Sequence, residues 1–446
     1  MSGECVTPIR DVNDDAGADD LFAVLATLAV PPGGLGDELD QADHLLAVLG
    51  AVGDRRDRRG IRHSMASVLA TAVAAVACAE TSITAIGHWA KLAEVNNQAL
   101  LGALGTRRNP ATGRYQAPHV DTFDRILTAV DAQSLDDVAG AWLLARLAQT
   151  RHPSPADPPT PAATAQPGTA PPMRPGFAVD GKALKGTIDA DGNMVHLLSA
   201  FDHQVGLTFA QRQVETKSNE IPAFVPLLEG LDLRGWVATM DALHTQRGHV
   251  TFCHNHGIDV IMIAKDNQPN LFTSIDAINW PTIPVSHRIE ERGHGRHEIR
   301  TIQITDAPPD LRFKHMSQAF LLERYTSRPV NKNGKTTHVK TAVTVLGVTT
   351  LTPTNSTPEH IATHIRRHWG IENKSHYVRD VTYREDASRV RRADKPRVMA
   401  TLRNIAISLI RLAGYTTITP TTRALRYSPD QLTAVLGLRL QPNNGP

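Results

Sequence analysis

Nine prolines fall within residues 150–176 of this 446-residue chain, at 153, 155, 158, 159, 161, 167, 171, 172 and 175. Each fixes its own φ and removes a backbone donor, so the stretch cannot run inside a helix or a central strand. Its remaining residues are mostly Ala, Thr and Ser, which makes it a semi-extended linker and a domain boundary. The chain is therefore read in two parts. Before the linker the pattern is helical from Leu21 to about 149, after a disordered tail over 1–20. Ile61, Met65, Val68, Leu69 and Val73 recur at helical spacing, and Ile83, Ile86, Trp89 and Leu92 form a second run. Asp121 caps a third, with Phe123, Ile126, Leu127 and Val130 behind it. No strand pattern occurs in this part.

After Phe177 the period changes. Strands are expected at 177–179, 195–201, 207–213, 236–240 and 259–264, with helices at 220–229 and 245–256 between them. That order gives an α/β fold with a mixed sheet. Residues 285–350 read as a β-rich insertion, with a turn at 331–334. A long helix is expected from Pro358 to His376 or beyond, and another from Pro396 to Leu412, leaving 416–446 as a C-terminal tail.

Composition excludes several classes. The net charge is only +2, so any basic surface must be local. Cys5, Cys78 and Cys253 are too few and too scattered for a disulfide framework, which suits a reducing cytoplasm. Asp11, Asp14, Asp15, Asp19 and Asp20 make the N-terminus unlike a signal peptide. The longest uncharged run, from Ser64 to before Glu80, falls short of the ~20 strongly apolar residues of a membrane span and reads as a buried helix.

The chemistry concentrates at three carboxylates. Asp180 closes the run Phe-Ala-Val-Asp, and Asp241 closes Trp-Val-Ala-Thr-Met-Asp. Strand ends on one edge of an α/β sheet converge, and two carboxylates there can share a divalent cation. The alternative is that each Asp caps the turn that follows it. Glu372 lies mid-helix between His368 and His376, with Arg379 two turns on; a solvated face of ion pairs is the competing reading.

Several segments together resemble one family. They are Arg59-Gly60-Ile61-Arg62-His63, Pro118-His119-Val120-Asp121-Thr122-Phe123, Val179-Asp180-Gly181-Lys182 and Lys217-Ser218-Asn219-Glu220-Ile221. Asp241-Ala242-Leu243-His244-Thr245-Gln246, Gly293-His294-Gly295-Arg296 and His368-Trp369-Gly370-Ile371-Glu372-Asn373 follow, the last continuing through Asp380-Val381-Thr382-Tyr383 to Glu385-Asp386. In this order, over about residues 20–415, the chain resembles the DDE transposases of bacterial insertion sequences, in particular the H-repeat-associated group.

The resemblance implies a ribonuclease H-like catalytic domain over 177–415, interrupted by the β-rich insertion and preceded by an α-helical N-terminal domain. It implies Asp180, Asp241 and Glu372 as the catalytic, metal-holding triad, with two Mg²⁺ ions for which Mn²⁺ can substitute. The chemistry is then two-metal phosphoryl transfer: cleavage at the element's ends, followed by joining to target DNA. The expected partners are DNA, as terminal inverted repeats and target, and a second copy in a synaptic dimer; the setting is the bacterial cytoplasm, at the nucleoid, with no membrane. Related transposases often carry Tyr, Arg and Lys around the glutamate as Y-x2-R-x3-E-x6-K, where this chain has Ile365, His368 and Arg379.

Between Arg366 and Arg397 ten Lys/Arg face five Asp/Glu, an excess that would track phosphates beside the triad unless it is an ordinary solvated face. The candidate DNA contacts are Lys182, Lys185, His244, Arg367, His368, Lys374, Arg379, Arg391 and Arg392. Arg55, Arg56, Arg58, Arg59 and Arg62 form a second patch, interrupted by Asp57. The histidines at 364, 368 and 376 and Glu372 span ~18 Å of helix, too far to close on one zinc ion. His249 and Cys253 share i,i+4 spacing and read as ordinary helix residues. Two other functions keep the same fold: a metal-dependent endonuclease that cleaves without joining, and an inactive DNA-binding remnant.

Overall fold

The computed structural model describes residues 44–151 and 170–438, apart from positions 55, 58, 60, 190, 216–219, 294 and 333–334. The acidic segment 1–20, most of the proline-rich stretch (152–169) and part of the Lys217–Ile221 motif lie outside the described residues.

The N-terminal half is helical: α1 (Leu45–Gly50), α2 (Met65–Ala77), α3 (Ile83–Asn96), α4 (Gln98–Ala103), α5 (Val120–Ala129) and α6 (Ala132–Arg151). The uncharged run forms α2, capped by the Ser64 side chain and buried at every position but Ala66. Two details differ from the sequence reading. Leu92 is 63% exposed, and the cap of α5 is His119, whose ring accepts the Asp121 N–H.

The C-terminal half is built on one sheet whose nine described strands run in the order β3-β2-β1-β4-β5-β9-β8-β7-β6. They are β1 (Gly176–Ala183), β2 (His196–Asp202), β3 (Thr208–Val214), β4 (Val237–Met240), β5 (Asp259–Ala264), β6 (His287–Gly293), β7 (Arg296–Asp306), β8 (Gln318–Lys332) and β9 (Lys335–Thr349). β1, β4 and β5 are parallel, and β2 and β9 are antiparallel to their neighbours. Between the central strands run α7 (Glu220–Leu228), α8 (Arg247–Asn255) and α9 (Pro269–Asp276). After β9 come α10 (Pro358–His368), a π-helical turn (Ile371–His376), α11 (Tyr377–Val381), α12 (Lys395–Leu412), α13 (Ile418–Tyr427) and α14 (Pro429–Val435).

The parallel strands read as unbroken apolar runs because both faces are covered. Val179, Ala238, Met240, Val260 and Met262 share one core with Phe224 of α7, Val250 of α8 and Leu271 of α9. Val237 and Ile261 pack instead with Ile361 of α10, and Ala178 packs with Ile371 of the π turn. The N-terminal helices join the first of these cores. Gly140 lets α6 lie directly on β3, since a Cβ there would sit 2.3 Å from the Phe209 carbonyl oxygen. Residues 418–435, expected as a tail, are helical and buried through Ile418, Leu425, Leu432 and Val435, an apolar spacing that two short helices supply and a tail cannot use.

Candidate active site

β1 does not stop at Asp180, as the apolar run suggested; it continues to Ala183, with Asp180 opposite Ser199 of β2. The parallel register sets Val179 beside Met240, so Asp180 lies next to the start of the loop that holds Asp241. Asp241 accepts the His244 N–H on Oδ1 at 3.0 Å, and its carbonyl accepts from Thr245 Oγ1 at 2.9 Å. The two aspartates therefore stand at one edge of the sheet.

Glu372 arrives from the helical side. The helix expected from Pro358 to His376 is α-helical only to His368; Glu372 sits in the π turn, whose wider coil changes which side chains share a face. Ile371 anchors that turn against Ala178 and Phe201, two residues before Asp180 on the same face of β1. The His376 ring Nδ1 then lies 3.0 Å from Glu372 Oε2 and 3.8 Å from Asp180 Oδ2. Asp180, Glu372 and His376 each offer a donor atom within 4.8 Å of the others.

The electrostatics at this edge are unbalanced. Burial raises the Asp180 carboxyl above the usual range, and Asp241 and Glu220 push the same way, while His376 and the Gly181 N–H partly oppose them. The hydrogen bond from His376 holds the Glu372 carboxyl below the usual range. Crowded carboxylates of this kind, with oxygen donors predominating, fit a hard divalent cation. Glu220 is the residue that sequence reasoning missed. It is 3% exposed and 3.6 Å from His244 Nε2, and a Cβ on Gly181 would sit 2.2 Å from its Oε1. The signal was an acid placed just ahead of the apolar Ile-Pro-Ala-Phe run.

The expected DNA contacts divide in two. Arg367, Lys374, Arg391 and Arg392 are exposed near Glu372 or the following loop, and Lys185 is exposed 3.2 Å from Asp386. Others turn inward. Arg379 is fully buried against Glu385, so no phosphate can reach its guanidinium. Lys182 is 8% exposed with its Nζ 2.6 Å from Asp380, and His244 is 1% exposed beside Glu220. His368 Nδ1 is paired with Thr239 Oγ1 at 2.9 Å, and Thr239 also pairs with buried His203. Burial lowers the His368 ring below its usual range, with nearby Asp241 opposing. In the basic cluster, Arg397 is likewise buried on Asp136, and Lys395 pairs with Asp124. His249 spends both ring nitrogens on the carbonyls of His244 and Ile221.

Comparison with known proteins bears on this arrangement. The Transposase DDE domain model matches residues 171–409, more than half of the chain. The chain belongs to the DDE transposase family. A second model, "DDE_Tnp_1-associated", matches residues 46–143. The chain is 30% identical over 245 residues to the "H repeat-associated putative transposase YhhI" of Escherichia coli K12, and equally so to "Putative protein YbfL" of the same strain. Each match covers 52% of this chain, and the chain spans 63% of the length of each relative. Among solved structures, a piggyBac transposase synaptic complex with hairpin DNA aligns over 89% of this chain and 78% of that one, at 10% identity and a TM-score of 0.35, too loose a likeness to carry an argument. Among the described residues no helix is long and apolar enough to cross a membrane.

Proposed function

We propose that this DDE transposase cleaves DNA at insertion-sequence ends and joins the freed 3′ ends to target DNA, on a ribonuclease H-like framework formed by β3-β2-β1-β4-β5. The observation that supports the reading is the grouping of Asp180 and Glu372 with His376, their donor atoms within 4.8 Å of one another, beside the loop that holds Asp241 after the neighbouring parallel strand. Divalent cations bound there, Mg²⁺ or Mn²⁺, would supply Lewis-acid activation of the attacking and leaving oxygens. Asp180, Asp241 and Glu372 are the residues that would hold them.

The protein's own groups do the rest. Gly181 N–H and His376 orient the Asp180 and Glu372 carboxylates. Arg367 and Lys374, on the helical segment that carries Glu372, and Arg391 and Arg392, in the loop that follows it, receive the phosphate backbone. No covalent link between protein and DNA is required. Two element ends must be handled together, which calls for two copies of the chain in the working complex.

The test is a cleavage and strand-transfer assay on labelled DNA carrying the element's own ends, with Mg²⁺ or Mn²⁺. Metal-dependent joining by wild type, lost in Asp241→Asn and Glu372→Gln, supports the proposal. Cleavage without joining assigns an endonuclease instead, and DNA binding with neither reaction assigns an inactive remnant.

A further inference from the structure

The β8–β9 hairpin is longer than the sheet needs. β7 accompanies β8 only as far as the pair His297↔Ser327; beyond it, β8 and β9 continue alone through five further pairs, from Arg328↔Val339 to Lys332↔Lys335. Its direction is set by the register. β9 runs antiparallel to β5, with Leu346 opposite Ala264, the last residue of β5. The C-terminal ends of β1, β4 and β5 form the edge that bears Asp180 and Asp241, so the ribbon projects past that edge. From Leu346 to Val339 it rises ~24 Å above the edge, and it stands two strand spacings, ~10 Å, to the side of β4.

The charge of the ribbon is one-sided. Residues 324–342 hold Arg324, Arg328, Lys332, Lys335 and Lys340 and no Asp or Glu. At its root Glu290 is matched by Arg288 and His297, Glu291 by Arg300 and Arg366, and Glu298 by Arg300, while Glu323, one residue before Arg324 on β8, takes a hydrogen bond with Tyr325. Arg324 and Arg328 share a face with Val343 and Val339, which are 40% and 39% exposed. Lys340 lies on the other face with Tyr325, 44% exposed. Protecting an open strand edge accounts for Pro329 and a lysine or two; it does not require that every charge be positive. A two-stranded ribbon has the width of a DNA major groove, and Arg324 and Arg328 on one face and Lys340 on the other, for which no ion pair occurs among the described residues, meet the phosphates on either side.

We propose that the β8–β9 ribbon is a DNA-docking arm that grips the duplex ~7 base pairs from the bond held at Asp180 and Asp241, a distance that follows from ~24 Å of rise. The proposal rests on the transposase reading above and adds to it a surface, remote from the carboxylates, that fixes the direction in which the duplex leaves the site.

The experiment measures fluorescence anisotropy of a labelled 40-base-pair random-sequence duplex over a range of NaCl concentrations. It compares wild type, the triple variant Arg324→Ala, Arg328→Ala, Lys340→Ala, and Arg234→Ala, an exposed cation just before β4 at the opposite sheet edge. Three lost phosphate contacts make the plot of log affinity against log salt shallower by about 2.7 in the triple variant, with Arg234→Ala unchanged and thermal melting of both variants as in wild type. A triple variant with the wild-type slope overturns the arm and leaves the proposed function standing. A slope that drops equally in Arg234→Ala overturns it as well, because the effect is then one of net charge. Failure of wild type to bind the duplex overturns both readings.

Discussion

Removing Arg379 should destabilise the fold rather than disarm the site. Its guanidinium is fully buried, Nε donates to Glu385 Oε2 at 2.9 Å, and Arg403 Nη1 donates to Oε1 at 2.8 Å. Burial alone would raise the Glu385 carboxyl; Arg379 and Arg403 instead bring it from an ordinary 4.5 down to about 2. Breaking a buried ion pair from one side costs ~3–5 kcal/mol. That range predicts that Arg379→Ala lowers the melting temperature by at least about 5 °C at pH 7. The acid limb carries the same signature. Because the folded carboxyl titrates lower than the unfolded one, the unfolded chain takes up the extra proton as pH falls below about 4.5, and the stabilisation, complete above that range, is lost towards about 2. In Arg379→Ala this part of the pH dependence should flatten. Scanning fluorimetry and tryptophan-monitored acid unfolding give both readouts. A variant that melts within about 1 °C of wild type, with DNA affinity reduced, would refute the reasoning and return Arg379 to the DNA interface.

Three other outcomes follow from the site. His376→Ala frees Glu372 from its hydrogen bond and should weaken Mn²⁺ affinity 10- to 100-fold, read by isothermal titration calorimetry, with melting little changed. Arg391→Ala with Arg392→Ala removes two exposed cations and should reduce the salt slope of duplex binding by about 1.8 without loss of stability, the reverse of Arg379→Ala. Gly181→Ala forces a Cβ to within 2.2 Å of the buried Glu220 carboxylate and should cost ~1–3 kcal/mol in urea unfolding while also weakening Mn²⁺ binding through the adjacent Asp180.

The strands that position the candidate site were legible in the sequence because their signal is local. Apolar runs mark β1 and β4, whose register sets Val179 beside Met240, one residue before each aspartate, although β1 runs on through Asp180 to Ala183. Most central strands and helices likewise announced themselves by period, from the run at 259–264 to the helix at Lys395–Leu412. Charge was the misleading signal. Arg379, Lys182, His244 and Arg397 all read as solvent-facing cations, yet each is buried against an acid far away in sequence or across a turn. No local pattern reports such a partner. The π turn was hidden for a related reason: Glu372 and His376 keep an α-helical spacing in sequence, and only packing of Ile371 against Ala178 and Phe201 shows where the wider coil falls. The two C-terminal helices were missed because each is too short for its periodicity to stand out.

Asp180, Asp241 and Glu372 should form one divalent-metal site, and direct Mn²⁺ binding tests that without knowledge of the DNA ends. Electron paramagnetic resonance of free Mn²⁺ in titrations of wild type, Asp180→Asn, Asp241→Asn and Glu372→Gln is the measurement. Wild type should take up Mn²⁺, and each substitution should sharply reduce uptake while melting stays within a few degrees of wild type. Equal uptake by wild type and all three variants would contradict the site.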